Sequence, residues 1–194
     1  MTRIAVLGPP GAGKSTLTAR LGTLTGLPAH DLDDLYWRPG WRRPAPDAWE
    51  RIQQDLAAGP QWLIAGNYQQ TAAIRISRAD VVVILDPGPV TCLRRLLVRT
   101  LRIHLGATEL LPAAMRASGR SRAHHGLLRI ARIAWRYRQD CLPRTRCLAR
   151  RHEVRVIVLR KHTAPGSVLQ MIDRELQRRR APAQQGHAQE SEQP

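Results

Sequence analysis

The sequence predicts an α/β fold, three layers in which a parallel sheet is covered by helices on both faces. Three observations carry this. The glycine-rich stretch Gly8 to Ser15 follows the strand-length apolar run Ile4-Ala5-Val6-Leu7 and precedes Leu17, Leu21 and Leu24 at helical spacing. The run Val81-Val82-Val83-Ile84-Leu85 is unbroken and mostly β-branched, as in a strand buried on both faces. Strand-like and helix-like segments alternate along 194 residues, a length that suits one domain with insertions.

The first strand leads into Gly8-Pro9-Pro10-Gly11-Ala12-Gly13-Lys14-Ser15, which fits the P-loop pattern G-x-x-x-x-G-K-[ST] without a mismatch. Its glycines allow successive backbone N–H groups to turn inward around phosphate oxygens, and the helix start behind them adds partial positive charge. Lys14 would reach the outer phosphates as a mobile charge, and the Ser15 hydroxyl would ligate magnesium, with Thr16 a second hydroxyl beside it. Of 31 basic residues only Lys14 and Lys161 are lysine, so the arginine bias of the chain is set aside at this position.

Next, Leu27-Pro28-Ala29-His30 reads as a short second strand ending in Asp31-Leu32-Asp33-Asp34. Carboxylates at the C-terminal end of a strand lie where open α/β sheets bind ligands, so Asp31 and Asp33 are candidates to hold magnesium through water or to accept a proton. A solvated acidic turn or a helix cap is the competing reading. In Leu35-Tyr36-Trp37-Arg38-Pro39-Gly40-Trp41-Arg42-Arg43, aromatic and guanidinium groups alternate around a Pro-Gly turn. Tyr36, Trp37, Arg38 and Trp41 either stack and pair a substrate or pin the loop to the domain. Asp47 opens a helix with Trp49, Ile52 and Leu56 on one face, and Gly59-Pro60 ends it.

Trp62-Leu63-Ile64-Ala65 reads as the third strand. In its exit loop, Gly66 permits close approach while the Asn67 amide and the Tyr68 hydroxyl are candidates to orient a substrate, a plain turn being the alternative. After the fourth strand, Leu93, Leu96, Leu97, Leu101 and Leu105 form a helical stripe between Val90 and His104, with Arg94, Arg95, Arg99 and Arg102 on other faces. Residues 106–124 lose this periodicity and suggest a mobile lid. A second helix is expected over about 125–142, with Leu128, Ala131 and Trp135 as its apolar side and Arg129, Arg132 and Arg136 on another, interrupted at Pro143. Val154 to Leu159 is the last strand, and a helix over about 166–178 follows. The domain is thus expected over 1–177, with an acceptor-binding insertion at about 31–58, a lid at about 100–145 and a disordered polar tail over 178–194.

The net charge of +16 is uneven: from Arg94 to Arg151, fifteen arginines face only Glu109 and Asp140, a surplus of thirteen. Such a segment suits a polyanionic partner, either phosphates closing under a lid or nonspecifically bound nucleic acid. Cys92, Cys141 and Cys147 lack C-x-x-C spacing, which argues against a zinc site or a disulfide framework. No run of 18 apolar residues occurs, and the chain enters its first strand directly, so a cytoplasmic protein without membrane contact is expected.

Gly8 to Ser15, His30-Asp31-Leu32-Asp33, Leu35-Tyr36-Trp37-Arg38-Pro39-Gly40-Trp41, Gly66-Asn67-Tyr68 and Ala79-Asp80 through Asp86 together resemble the FlaR-like "DNA topology modulation" proteins, P-loop relatives of adenylate and shikimate kinases. The likeness covers about residues 1–160. It implies a P-loop NTPase of nucleotide-kinase type with sheet order 2-3-1-4-5, ATP at Gly8 to Ser15, an acceptor near Asp31 to Arg43, and Arg160 to Pro165 around the adenine. Relatives carry Asp immediately before Gly-Asn-Tyr, and this chain carries Ala65. The expected function is magnesium-dependent phosphoryl transfer from ATP to a small acceptor such as a nucleotide, with Lys14, Asp31, Asp33, Arg132 and Arg136 as catalytic candidates. A nucleic-acid-associated ATP-binding protein and a weakly active nucleotide-binding module are the alternatives.

Overall fold

The computed structural model describes residues 2–39, 42–112, 115–116 and 127–180. Five strands form one sheet: β1 (Arg3–Leu7), β2 (Ala29–Asp31), β3 (Trp62–Ala65), β4 (Val81–Leu85) and β5 (Arg155–Leu159). Their order is β2-β3-β1-β4-β5 and every pairing is parallel, so the expected topology is observed. Parallel pairing forces each connection to cross a face of the sheet, and the helices between the strands make those crossovers.

The helices are α1 (Lys14–Thr25), α2 (Leu32–Tyr36), α3 (Pro46–Ala58), α4 (Ala72–Ile76), α5 (Pro89–His104), α6 (Leu127–Asp140), α7 (Leu142–Arg151) and α8 (Pro165–Arg180). Alternation along the strands divides the core in two. Ile4, Val6, Val81 and Val83 point to one face and pack with Leu17 and Leu21 of α1, Cys92 and Leu96 of α5 and Val168 and Ile172 of α8. Ala5, Leu7, Ile64, Val82 and Ile84 point to the other, among Trp49 and Ala57 of α3, Ala72 and Ile76 of α4 and Leu142 and Ala149 of α7. Burial of such side chains on both faces, at about 1.5–3 kcal/mol each, holds the three layers together.

Several local expectations need correction. The Leu-rich stripe of α5 does not face inward as a unit: Leu96 is buried, whereas Leu97, Leu101 and Leu105 are 59%, 59% and 79% exposed. The inward face instead follows Cys92, Leu96 and Ile103. On α6, Leu128 and Trp135 are likewise exposed and the buried side is Ala134 and Tyr137. Pro143 starts a helix as well as ending one, because at the first turn of α7 its missing N–H costs no hydrogen bond. The acidic turn after β2 is the short helix α2, capped by Asp31, and α4 lies in what reads as loop. The last helix runs to Arg180; the expected tail beyond it, and most of the expected lid over 106–124, lie outside the described residues. Among the described residues, no helix is long and apolar enough to cross a membrane.

Candidate functional site

The site begins where β1 ends. The backbone turns through Gly8 to Gly13, with the Ala12 amide donating to the Pro9 carbonyl at 3.2 Å, and re-emerges as α1 at Lys14. Gly11 sits at φ 80°, and a Cβ there would lie 2.5 Å from the Cys92 carbonyl oxygen, so only glycine lets the loop lie directly on the start of α5. Gly13 caps α1 with no side-chain acceptor. The first amides of α1 therefore point out of the loop without a side-chain partner, the arrangement that receives an anion.

Lys14 arches back over this loop and donates from Nζ to the Pro9 carbonyl at 3.1 Å. Burial pushes its ammonium below the ordinary lysine value, opposed chiefly by Asp33 and then Asp31, with Arg99 adding to the lowering. Both acidic candidates are thus within electrostatic reach of the loop lysine. Ser15 and Thr16, on the first turn of α1, are exposed.

The carboxylates are held in place by local geometry. Asp31 caps α2, its Oδ1 accepting the Asp33 amide at 3.0 Å. The Tyr68 hydroxyl donates to Asp33 Oδ1 at 2.7 Å, and burial together with this carboxylate raises the Tyr68 pKa, keeping the phenol protonated. Asp31 lies opposite Ala65 in the parallel ladder, so its carboxylate stands one strand away from position 65.

Tyr36 and Trp37 of the aromatic segment pack against the domain. Tyr36 meets Trp37, Trp49 and Tyr68 at centroid distances of 5.1, 4.9 and 4.7 Å. Trp37 also packs with the cluster of Ile103, Leu111 and Met115 at the end of α5, and the Arg43 guanidinium lies 5.5 Å from its ring. Arg38 is exposed and bridged through its backbone to Arg42, and Trp41 lies outside the described residues. In the exit loop of β3, a Cβ on Gly66 would lie 2.8 Å from Leu32. The Asn67 amide faces Cys141 Sγ at 3.8 Å, and its Oδ1 accepts from Gln69 at 2.9 Å, so this amide is engaged with the α6–α7 junction and its own loop.

Beneath that loop lies Arg75 of α4, which sequence reasoning passed over. Fully buried, it donates to Gln53 Oε1 and, at 3.3 Å, to the Gly66 carbonyl, while its Nε finds no partner. Burial lowers its pKa to about 10, which leaves it charged at neutral pH. Its signal in the sequence was weak, since one arginine among 29 in a five-residue helix shows no period.

The arginines nearest the loop are not those singled out by spacing. Arg132 and Arg136 are exposed, and Arg136 pairs with Asp140 at 3.4 Å rather than with anything at the loop. Arg94 and Arg129 are exposed too. Instead, Arg95 donates to the Ala12 carbonyl at 3.1 Å, and Arg99, one turn further along α5, is felt by Lys14. Arg138 of α6 clasps the buried Asp86 with Nε at 2.9 and 3.1 Å from its two carboxylate oxygens. The signal for Arg95 and Arg99 was present, because both lie on the helical face of Cys92, Leu96 and Ile103 at spacings of three, four and seven.

A cavity of about 260 Å³ opens beside the loop, between Ala12, Gly13 and Thr16 on one side and Lys161, His162 and Pro165 on the other, with Arg95 at its wall. Its place between the loop and the segment after β5 is where the adenine was expected.

No protein-family profile matches the chain, and no curated protein does. Solved structures do. A shikimate kinase from Acinetobacter baumannii, in complex with shikimate, aligns over 90% of this chain and 94% of its own, with a TM-score of 0.58 and 16% identity. A shikimate kinase from Aquifex aeolicus aligns over 92% and 98%, with a TM-score of 0.50 and 15% identity. A gluconokinase from Sinorhizobium meliloti aligns over 91% and 92%, with a TM-score of 0.50 and 14% identity. The chain therefore has the fold of the small P-loop kinases, with the five-stranded parallel sheet in the same kind of layered frame.

Proposed function

We propose that the protein binds ATP at Gly8 to Thr16 and transfers its γ-phosphoryl group to a small hydroxyl- or phosphate-bearing acceptor, a nucleotide being one such class. The observation that carries this is the uncapped loop with Lys14 folded over it, bordered by Asp31 and Asp33 and by Arg95 and Arg99. Free amides and a desolvated ammonium are a donor set suited to phosphate oxygens. Magnesium fits the same place, since this ion needs few protein ligands when phosphates supply others. The Ser15 hydroxyl and, through water, Asp31 would hold it.

ATP supplies the electrophilic phosphorus. The chain binds the transferring group through loop amides and Lys14, and offsets charge on it with Arg95 and Arg99. Asp33, fixed by Tyr68, accepts the acceptor's proton, or Asp31 does. Arg132 and Arg136 remain lid candidates that would act only on closure. Tyr36 and Trp37 shape the acceptor side through packing, while Arg38, Gly66, Asn67 and Tyr68 border it; Trp41 stays a candidate there on its sequence alone. The likeness to FlaR-like proteins supports the same placement of acceptor and ATP.

Ala65 favours a second reading, a nucleotide-binding module of low turnover, because the position is buried and holds no carboxylate. The arginine surplus over residues 94–151 keeps nonspecific nucleic-acid association as another. ATP consumption with magnesium, screened against pooled nucleoside monophosphates, nucleosides and small hydroxyl metabolites with duplex DNA alongside, separates the three. We expect one acceptor pool to give a phosphorylated product, abolished in Lys14→Ala. Stimulation by DNA alone would replace the phosphotransferase reading, and ATP binding with no turnover anywhere would leave the inert module.

A further inference from the structure

A second, larger concavity lies away from the loop, at the sheet edge formed by β5. It is an open concavity of about 500 Å³ lined by Val156 of β5, Leu142 and Pro143 at the start of α7, and Arg138, Arg146 and Arg150. That volume falls in the range of small-molecule sites.

Its charge is unmatched. Arg146 and Arg150 form no ion pair among the described residues, and Arg138 is paired with Asp86. The two free arginines stand four apart on α7, so their stems rise from one helix face about 5–6 Å apart. Arginine forks bind phosphate oxygens bidentately, and two at this spacing serve neighbouring phosphate groups. The apolar floor of Leu142, Pro143 and Val156 suits a less polar body attached to them.

We propose that this concavity is a second phosphate site, separate from the P-loop, that binds a small ligand carrying two or more adjacent phosphates on Arg146 and Arg150. The apolar floor of Leu142, Pro143 and Val156 favours a small molecule with a less polar body over a bare phosphate backbone. The site also communicates with the loop by a short path. Arg138 lines it and holds Asp86, and Leu85 and Pro87 on either side of Asp86 line the cavity beside the loop. A ligand that draws Arg138 toward itself loosens the tie between α6 and the end of β4, so its binding reports to the nucleotide site.

The test is calorimetric titration of the full chain with inorganic tripolyphosphate. Wild type is expected to show two sites, Lys14→Ala one, and Arg146→Ala/Arg150→Ala the other one, with the lost site weakened at least tenfold. Arg51→Ala/Arg174→Ala removes the same charge from exposed positions that line neither cavity, and should keep both. Arg146→Gln/Arg150→Gln retains most of the stem volume and should behave as the alanine pair, with far-ultraviolet circular dichroism confirming the fold. Two undiminished sites in the Arg146/Arg150 variants would overturn the proposal. So would equal weakening in the charge-matched control, which would mark bulk attraction. A parallel titration with duplex DNA that alone responds to Arg146 and Arg150 would assign the surface to nucleic acid instead.

Discussion

Lys14 is the residue whose chemistry can be checked most directly. Its ammonium is desolvated, so the ligand-free fold binds this proton less tightly than the unfolded chain does. By linkage, stability of the ligand-free protein should rise with pH in the alkaline range below the ordinary value of 10.5, where the unfolded chain still holds a proton the fold has released. Lys14→Met should remove that rise and unfold no earlier than wild type at about pH 7, while losing the stabilisation by ATP. Thermal melts at two pH values, with and without nucleotide, read both effects. Tyr68 offers a second case. Its hydroxyl fixes Asp33 at 2.7 Å, and that carboxylate is exposed, so Tyr68→Phe should cost about 1 kcal/mol of stability. The same change should lower kcat about tenfold with little change in nucleotide affinity, since the carboxylate and not the loop is released. Equal losses in both would show Tyr68 acting on the loop. At this scale, the loop pattern and the strand end point to Lys14, Asp31 and Asp33, and the structure places the two carboxylates within electrostatic reach of the lysine. Among the arginines, composition hides that Arg95 lies against the loop while Arg132 and Arg136 are exposed.

Among the elements, α5 shows most clearly why pattern reading falls short. With leucines on two faces, its sequence fits either orientation; the sheet decides that Cys92 and Leu96 turn inward, and the cluster of Leu111, Met115 and Trp37 that Ile103 is covered. Leu96→Ala should therefore cost about 2–4 kcal/mol, while Leu97→Ser and Leu101→Ser should each stay within about 0.5 kcal/mol. Urea denaturation of the three variants checks the assignment. Strands were the better-read elements, because a buried parallel strand announces itself as a continuous apolar run and Val81 to Leu85 has no other home. Short helices were unreadable for the opposite reason. Five residues, as in α2 and α4, complete little more than one turn and cannot display a period. Pro143 carries two meanings at once, a stop for α6 and a start for α7, and only the tertiary packing of Leu142, Thr145 and Ala149 selects the second.

For the whole molecule, the two apolar layers on either side of one sheet make a single cooperative unit the natural expectation. Saturating ATP with magnesium, at about a hundred times its dissociation constant, should add about 2.7 kcal/mol and raise the melting temperature by about 5–10 °C in one transition. A split transition would show that the helices over 89–151 melt apart from the sheet. The order of the sheet and its likeness in fold to small kinases are legible in the sequence, since the loop pattern and the succession of strands leave few alternatives. What the two inserted stretches do to each other was not, because the contact of Trp37 with Ile103, Leu111 and Met115 spans more than sixty positions in the chain. That contact has a bearing on how such proteins diversify. Neither stretch is a separable cassette: a chimera that received one of them from a relative would inherit half of an apolar seam and expose the other half to water, whereas exchanging both together would keep the seam closed.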